Sequence, residues 1–166
     1  GESMNEDQHF MALAIEQARL AASLGEVPVG AVLVRRGEVI ATGYNRREID
    51  KNPLAHAELL CIQQASRVLG GWRIPQATLY VTLEPCPMCA GGILNARIDR
   101  VVYGAKDPKA GSLDSVVSLY SLPYNWKPEV TGGVLEEDCA ELLRRFFAQL
   151  RQRRKLSGGW KSTPKD

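Results

Sequence analysis

Apolar residues recur at Phe10, Leu13, Ala14, Ala18 and Ala21, the three- and four-residue spacing that lays one helix face against a core. Asn5 stands ahead of them as a cap, with Glu6 and Asp7 in the first turn and Gln8 at the capping-box position, and Gly25 follows as a stop. The period then changes to two. Pro28 to Val34 and Glu38 to Tyr44 predict strands joined at Arg36-Gly37 as an antiparallel hairpin. Asn45 opens a polar loop to Pro53, and Leu54 to Val68 has helical length, closed by Gly70-Gly71. Ala77 to Thr82 predicts a third strand, Pro87 starts a helix that runs to about Asn95, and Ile98 to Tyr103 predicts a fourth strand. Strand, helix, strand in that order implies a parallel crossover. Beyond it, Leu113 to Tyr120 predicts a short helix, Glu129 to Leu135 a weak fifth strand, and Glu136 to Lys155 a closing helix. The apolar face of that last helix is Leu142, Leu143, Phe146, Phe147 and Leu150.

This alternation predicts an α/β fold forming one domain over residues 4–156. Gly1-Glu2-Ser3 reads as a remnant ahead of Met4, and residues 157–166, with Gly158-Gly159 and Pro164, as a mobile tail. There is no internal repeat. With 166 residues, of which 45% are hydrophobic, the chain can bury well over half of its unfolded surface. No apolar run approaches membrane-spanning length, and the N-terminus lacks the basic-then-apolar pattern of a secretion signal. The four cysteines have metal-ligand rather than framework spacing, which suits a reducing compartment and makes the cytoplasm the expected location. The net charge of +2 conceals an asymmetry. Arg144, Arg145, Arg151, Arg153, Arg154 and Lys155 fall in a stretch with no acidic residue, so removing these six leaves about −4 on the rest of the chain. Helix-dipole balance accounts for an acidic start and a basic end of the last helix, but six cations without an acid among them exceed it.

The chemistry is concentrated in two stretches, His56-Ala57-Glu58 and Pro85-Cys86-Pro87-Met88-Cys89. One imidazole and two thiolates can supply three zinc ligands and leave a fourth tetrahedral position for water, the pattern of a catalytic rather than a structural ion. Two thiolates cancel the formal charge of the dication and weaken it as an activator of water, so a base must stand close by. Glu58 is the candidate for that base. Because two residues along a helix turn by about 200°, His56 and Glu58 can address one ion only near a helix end. Both cysteines fall at a helix start, where the dipole favours thiolate. Taken alone, Cys-x-x-Cys also fits a redox pair or half of a Zn(Cys)4 site. Cys61 and Cys139 lie in apolar helical patterns and read as small buried side chains, and His9 as a surface or boundary residue.

The two stretches together resemble the H-x-E and P-C-x-x-C signature of zinc-dependent nucleobase deaminases. Glu26-Val27-Pro28-Val29-Gly30-Ala31, Gly43-Tyr44-Asn45, Gly104-Ala105-Lys106-Asp107 and Phe146-Phe147 with its basic end narrow the resemblance to the bacterial-type tRNA adenosine deaminases. That resemblance implies a three-layer cytidine-deaminase-like fold, a five-stranded mixed sheet between helices, and a homodimer carrying one zinc ion per subunit. It implies conversion of the anticodon wobble adenosine (position 34) to inosine. His56, Cys86 and Cys89 would hold the zinc, and Glu58 would shuttle protons as hydroxide adds to C6 of adenine and ammonia leaves. Asn45 would contact the target nucleoside and Asp107 the neighbouring nucleotide, while Val27, Pro28 and Ala57 would help form the base pocket. The partner is a tRNA anticodon stem-loop, in which a base can be splayed out without disrupting a duplex. Lys106, Arg151, Arg153 and Arg154 are the candidate phosphate contacts. One rival keeps the chemistry and takes a free nucleobase or nucleoside such as guanine, cytosine or cytidine; another is a non-catalytic zinc-stabilised RNA-binding module. The basic final helix argues against the first and Glu58 against the second.

Overall fold

The computed structural model describes residues 4–157. Asn5 caps α1 (Glu6–Ser23): its side chain accepts from the Gln8 amide at 2.8 Å, and the Gln8 side chain accepts from the Asn5 amide at 3.2 Å. β1 (Gly30–Arg35) and β2 (Glu38–Tyr44) form the expected hairpin, with Arg36 and Gly37 at φ 53° and 80° as a two-residue turn of that twist demands. α2 (Ala57–Leu69), β3 (Ala77–Leu83), α3 (Pro87–Asn95), β4 (Arg100–Ala105), β5 (Glu129–Thr131) and α4 (Glu136–Leu156) follow. The tail expected after Ser157 lies outside the described residues.

The strands form one sheet in the order β2-β1-β3-β4-β5. β1 is antiparallel to β2 and β3, whereas β3, β4 and β5 run parallel, so the sheet is mixed. Each face is covered, and the period of two sorts the strand residues between them. Ala31, Leu33, Leu79, Val81, Val101 and Tyr103 pack with Ala57, Cys61, Ala65, Ala90 and Ile93 from α2 and α3. Val32, Val34, Tyr80 and Val102 pack with Phe10, Met11, Ala14 and Ile15 of α1 and Cys139 of α4. The result is the three-layer arrangement expected from the sequence. Burial on both faces explains why the central strands β1, β3 and β4 are mostly apolar, whereas the edge strands β2 and β5 carry exposed polar residues such as Glu38, Thr42 and Glu129.

Three elements depart from expectation, two of them because side chains claim the backbone. α2 starts at Ala57 and not at Leu54, because the Asn52 side chain accepts from the Leu54 amide at 2.9 Å and holds the chain in a turn beside Pro53. The expected helix over 113–120 is absent. The amides of Leu113, Asp114 and Ser115 point instead at the carboxylate of Glu84, and only Leu119–Ser121 forms a single 3-10 turn. β5 stops at Thr131, and the next residue, Gly132, lies against the Tyr103 ring, where an added Cβ would come within 2.3 Å of Cζ. α4 runs as expected, but of its apolar face Leu142, Leu143, Phe146 and Leu150 are only half-buried and Phe147 is 40% exposed. Its 21 residues span about 31 Å at 1.5 Å per residue, longer than the strands it packs on, and residues 151–157 at its far end are all exposed.

Close approach of α2 to the sheet depends on Gly43 of β2. A Cβ there would lie 2.5 Å from the Ala57 carbonyl oxygen and 3.1 Å from the Cys61 amide, both backbone atoms of the helix. Gly43→Ala is therefore expected to destabilise the protein by about 2–3 kcal/mol through overpacking. Gly71→Ala, with nothing within 4 Å of the added carbon, should stay within about 1 kcal/mol of the parent in the same urea titration.

Candidate active site

α2 and α3 begin at the same edge of the sheet, beside the ends of β2, β3 and β4. His56 is the N-cap of α2 and Cys86 the N-cap of α3, both in extended backbone conformation, and neither side chain caps its own helix. The two side chains turn toward each other instead. His56 Nδ1 stands 3.6 Å from Cys86 Sγ and 3.5 Å from Cys89 Sγ, and the three donor atoms lie within 4.8 Å of one another. Glu58 enters from the first turn of α2 and is 3% exposed. The 200° difficulty of its spacing from His56 is resolved by the helix boundary: His56 precedes the helix and Glu58 is inside it.

The ionisations follow from this crowding. Burial pushes the Glu58 carboxyl up to about 7, against the opposing pull of its own backbone amide and of His56. The hydrogen bond between the two thiols is the largest influence on both: it draws Cys86 down to about 4 and, with burial, drives Cys89 up. His56 is raised, first by its bond to Cys86.

A cleft of about 190 Å³ opens over these groups. Val27, Val29, Leu83 and Ala110 supply apolar walls, and Asn45, Arg47, Glu84 and Asp107 polar groups. Asn45 is 8% exposed; its Nδ2 donates to the Val27 carbonyl at 3.2 Å and its Oδ1 accepts from the Arg47 amide at 3.1 Å, tying two walls together. The residues singled out from the sequence are thus brought together in large part: Val27, Asn45, His56, Glu58, Cys86 and Asp107 all line the cleft, with Cys89 in the donor group beneath. Pro28 is buried and points away from it, and Ala57 is fully buried against the sheet. Lys106, Arg151, Arg153 and Arg154 are exposed and do not line the cleft. Val29 and Arg47 went unrecognised in the sequence, because both lie in irregular chain whose course is set by bonds to and from Asn45.

Two buried acids also went unrecognised. Glu26, 1% exposed, accepts from the amides of Glu48 and Ile49 at 3.1 and 2.7 Å and so holds the loop after β2. Glu84, 2% exposed, does the same for the loop after β4. Burial alone would raise the Glu84 carboxyl, but hydrogen bonds from Ser115, Asp114 and Asp107 hold it below the usual carboxylate range. Cys61 and Cys139 are buried as expected, with burial pushing Cys139 up to about 12, and His9 is exposed.

Residues 4–151 match the family model of MafB19-like deaminases. The tRNA-specific adenosine deaminase of Bacillus subtilis is 48% identical over 155 residues, covering 93% of this chain and 96% of that protein. The chain belongs to the tRNA-specific adenosine deaminase family. Another member, from Agrobacterium fabrum, is 49% identical over 149 residues, covering 89% of this chain and 98% of that one. A solved structure from work on A-to-I editing by tRNA:A34 deaminases at the wobble position superposes with a TM-score of 0.79 at 49% identity, covering 81% of this chain and 99% of its own. The five-stranded mixed sheet between helices is the cytidine-deaminase-like fold of these family members.

A buried acid at the heart of the site has a measurable cost. Because the folded-state pKa of Glu58 is raised, its contribution to stability is intact below the unfolded value near 4.5 and is lost as pH rises through about 7. Glu58→Gln should therefore match the parent near pH 4 and exceed it by up to about 3 kcal/mol above pH 8. Urea denaturation across that range, with a chelator present, is the measurement.

Proposed function

We propose that this chain hydrolytically deaminates the wobble adenosine, position 34, of a tRNA anticodon to inosine, with residues 4–156 as the catalytic unit. The observation that carries the reading is a buried carboxylate beside an imidazole and two thiols at the floor of a one-base cleft, in a chain nearly half identical to tRNA-specific adenosine deaminases.

His56, Cys86 and Cys89 fit one zinc ion. Donors at about 2.0–2.3 Å in a tetrahedral site stand about 3.6 Å apart, and the nitrogen-to-sulfur distances here are 3.6 and 3.5 Å. The soft nitrogen and sulfur set also suits zinc over magnesium or calcium. Bound there, the ion would polarise water and bring its ionisation toward neutral pH. With the ion bound, Glu58 would take a proton from water at the site and deliver it to the nitrogen leaving C6, a role its buried place beside the three donors suits. Val27, Val29 and Leu83 exclude bulk water from the base. Asn45 retains one N–H and one lone pair beyond its backbone bonds with which to hold the nucleoside. Asp107 Oδ1 is occupied by the amides of Lys109 and Ala110, which leaves Oδ2 for the neighbouring nucleotide.

Arg47 at the cleft and, away from it, the exposed Lys106, Arg151, Arg153 and Arg154 would supply charge for phosphates, so affinity falls as salt rises. The homodimer implied by the sequence resemblance, and the cytoplasm as the compartment in which four free thiols persist, belong to the same reading. Among the described residues, no helix is long and apolar enough to cross a membrane.

The decisive assay is inosine formation at position 34 in a panel of transcribed tRNAs, run beside free adenosine, cytosine and guanine. Inosine confined to tRNAs with adenosine at that position is expected; turnover of a free base with silent tRNAs would overturn the RNA assignment. Glu58→Gln is expected to keep one zinc per chain and lose on the order of 10²–10⁴ in kcat. Cys89→Ser should lose the metal and the activity together. Chelation should silence the parent reversibly, with zinc restoring turnover.

A further inference from the structure

Glu84 lines the cleft, and its side chain accepts more hydrogen bonds than any other there. Its Oε1 accepts from the Asp107 amide at 3.1 Å and from the Ser115 hydroxyl. Its Oε2 accepts from the amides of Leu113, Asp114 and Ser115 at 3.2, 2.8 and 2.9 Å. The backbone it gathers lies 23 to 31 residues further along the chain. Gly111 closes over the carboxylate so tightly that a Cβ would lie 2.3 Å from Glu84 Cδ, and the Ser112 amide donates to the Pro85 carbonyl at 2.9 Å. Between β4 and the turn at Leu119–Ser121 no helix or strand supplies these amides with partners. The carboxylate stands in for the missing secondary structure, and the loop it shapes carries Asp107 and Ala110 into the cleft.

We propose that Glu84 is a positioning residue for substrate recognition: its buried carboxylate fixes the 107–115 loop and thereby sets affinity for the nucleotide next to the target base. The inference rests on the proposed function, which makes Asp107 the contact to that nucleotide.

The chemistry of the site makes Glu84→Gln a pointed test. A glutamine fills the same volume and keeps one acceptor, but its amide group donates. With its oxygen retained toward the three amides at the Oε2 side, its nitrogen faces the Asp107 N–H, donor against donor. The substitution therefore releases Asp107 in particular. Ser115→Ala is the milder variant, removing one hydroxyl bond and leaving the carboxylate in place.

Both variants are compared with the parent by amide hydrogen exchange, zinc content and steady-state kinetics on an anticodon stem-loop. In Glu84→Gln, exchange over 107–115 should accelerate about tenfold or more while α2 and α3 stay protected, KM should rise about tenfold, and kcat should hold within about twofold with zinc unchanged. Ser115→Ala should raise KM by about two- to threefold, and it carries the test alone should Glu84→Gln fail to fold. Unchanged exchange or unchanged KM in the variants overturns the proposal, as does a fall in kcat or zinc at constant KM, which would place the action of Glu84 on Cys86. A parent protein inert on the stem-loop would instead overturn the functional reading, before any variant is compared.

Discussion

The meeting of two helix N-termini at one sheet edge is the constraint on which the rest of this structure depends. Each terminus leaves amide groups without intrahelical partners and carries partial positive charge, so the point where they converge favours anions. The chain places a thiol at one N-cap, another thiol one turn inside that helix, an imidazole at the other N-cap and a carboxyl in its first turn. The convergence is only possible because the helices come very close to the sheet and to each other. Gly43 admits the backbone of α2 to β2, and Gly92 admits Leu59 of α2, whose Cδ2 would be 2.7 Å from an added Cβ. Small residues that line no part of the cleft thus help bring the three donors within 4.8 Å of one another.

Burying acids is unfavourable unless donors surround them, and the site shows both outcomes. Glu58 is poorly compensated and its carboxyl rises to about 7, which suits proton transfer. Glu84 is surrounded by amides and stays ionised below the usual range. Glu26 anchors the opposite wall through the amides of Glu48 and Ile49. Two irregular loops that lack apolar cores of their own are thereby made into rigid walls, each held by one buried carboxylate. Rigid walls matter to a site that must recognise a splayed base by its edges.

Charge on the closing helix is arranged by a similar local logic. Arg144 bonds to Glu137 and Glu141, and Arg145 lies 3.5 Å from Glu141, so the acidic first half of α4 balances its own arginines. The cations at 151, 153, 154 and 155 come after the last acid of the helix, on its fully exposed last turns. The basic cluster is thus the unburied end of a helix and not a dedicated domain.

Periodicity and capping were enough to place four helices and five strands in order, because those signals act within a few residues: the Asn5–Gln8 box, the Arg36-Gly37 turn, Gly70 at the end of α2 and Pro87 at the start of α3. Ligand spacing likewise singled out His56, Cys86, Cys89 and Glu58, since zinc chemistry restricts which residue types stand together. What tertiary structure decided was where backbone amides found partners. Residues 113–120 have helical spacing, yet their amides bind a carboxylate some thirty residues earlier, and no local pattern encodes that competitor. Bonds from Asn45 to the carbonyls of Val27 and Val29, made ahead of the paired part of β1, hold those two residues at the cleft while Pro28 between them is buried and does not line it. Short-range propensity is written in neighbouring residues. The walls of the site are long-range bonds between groups far apart in the chain, and they exist only once the sheet has brought its ends together.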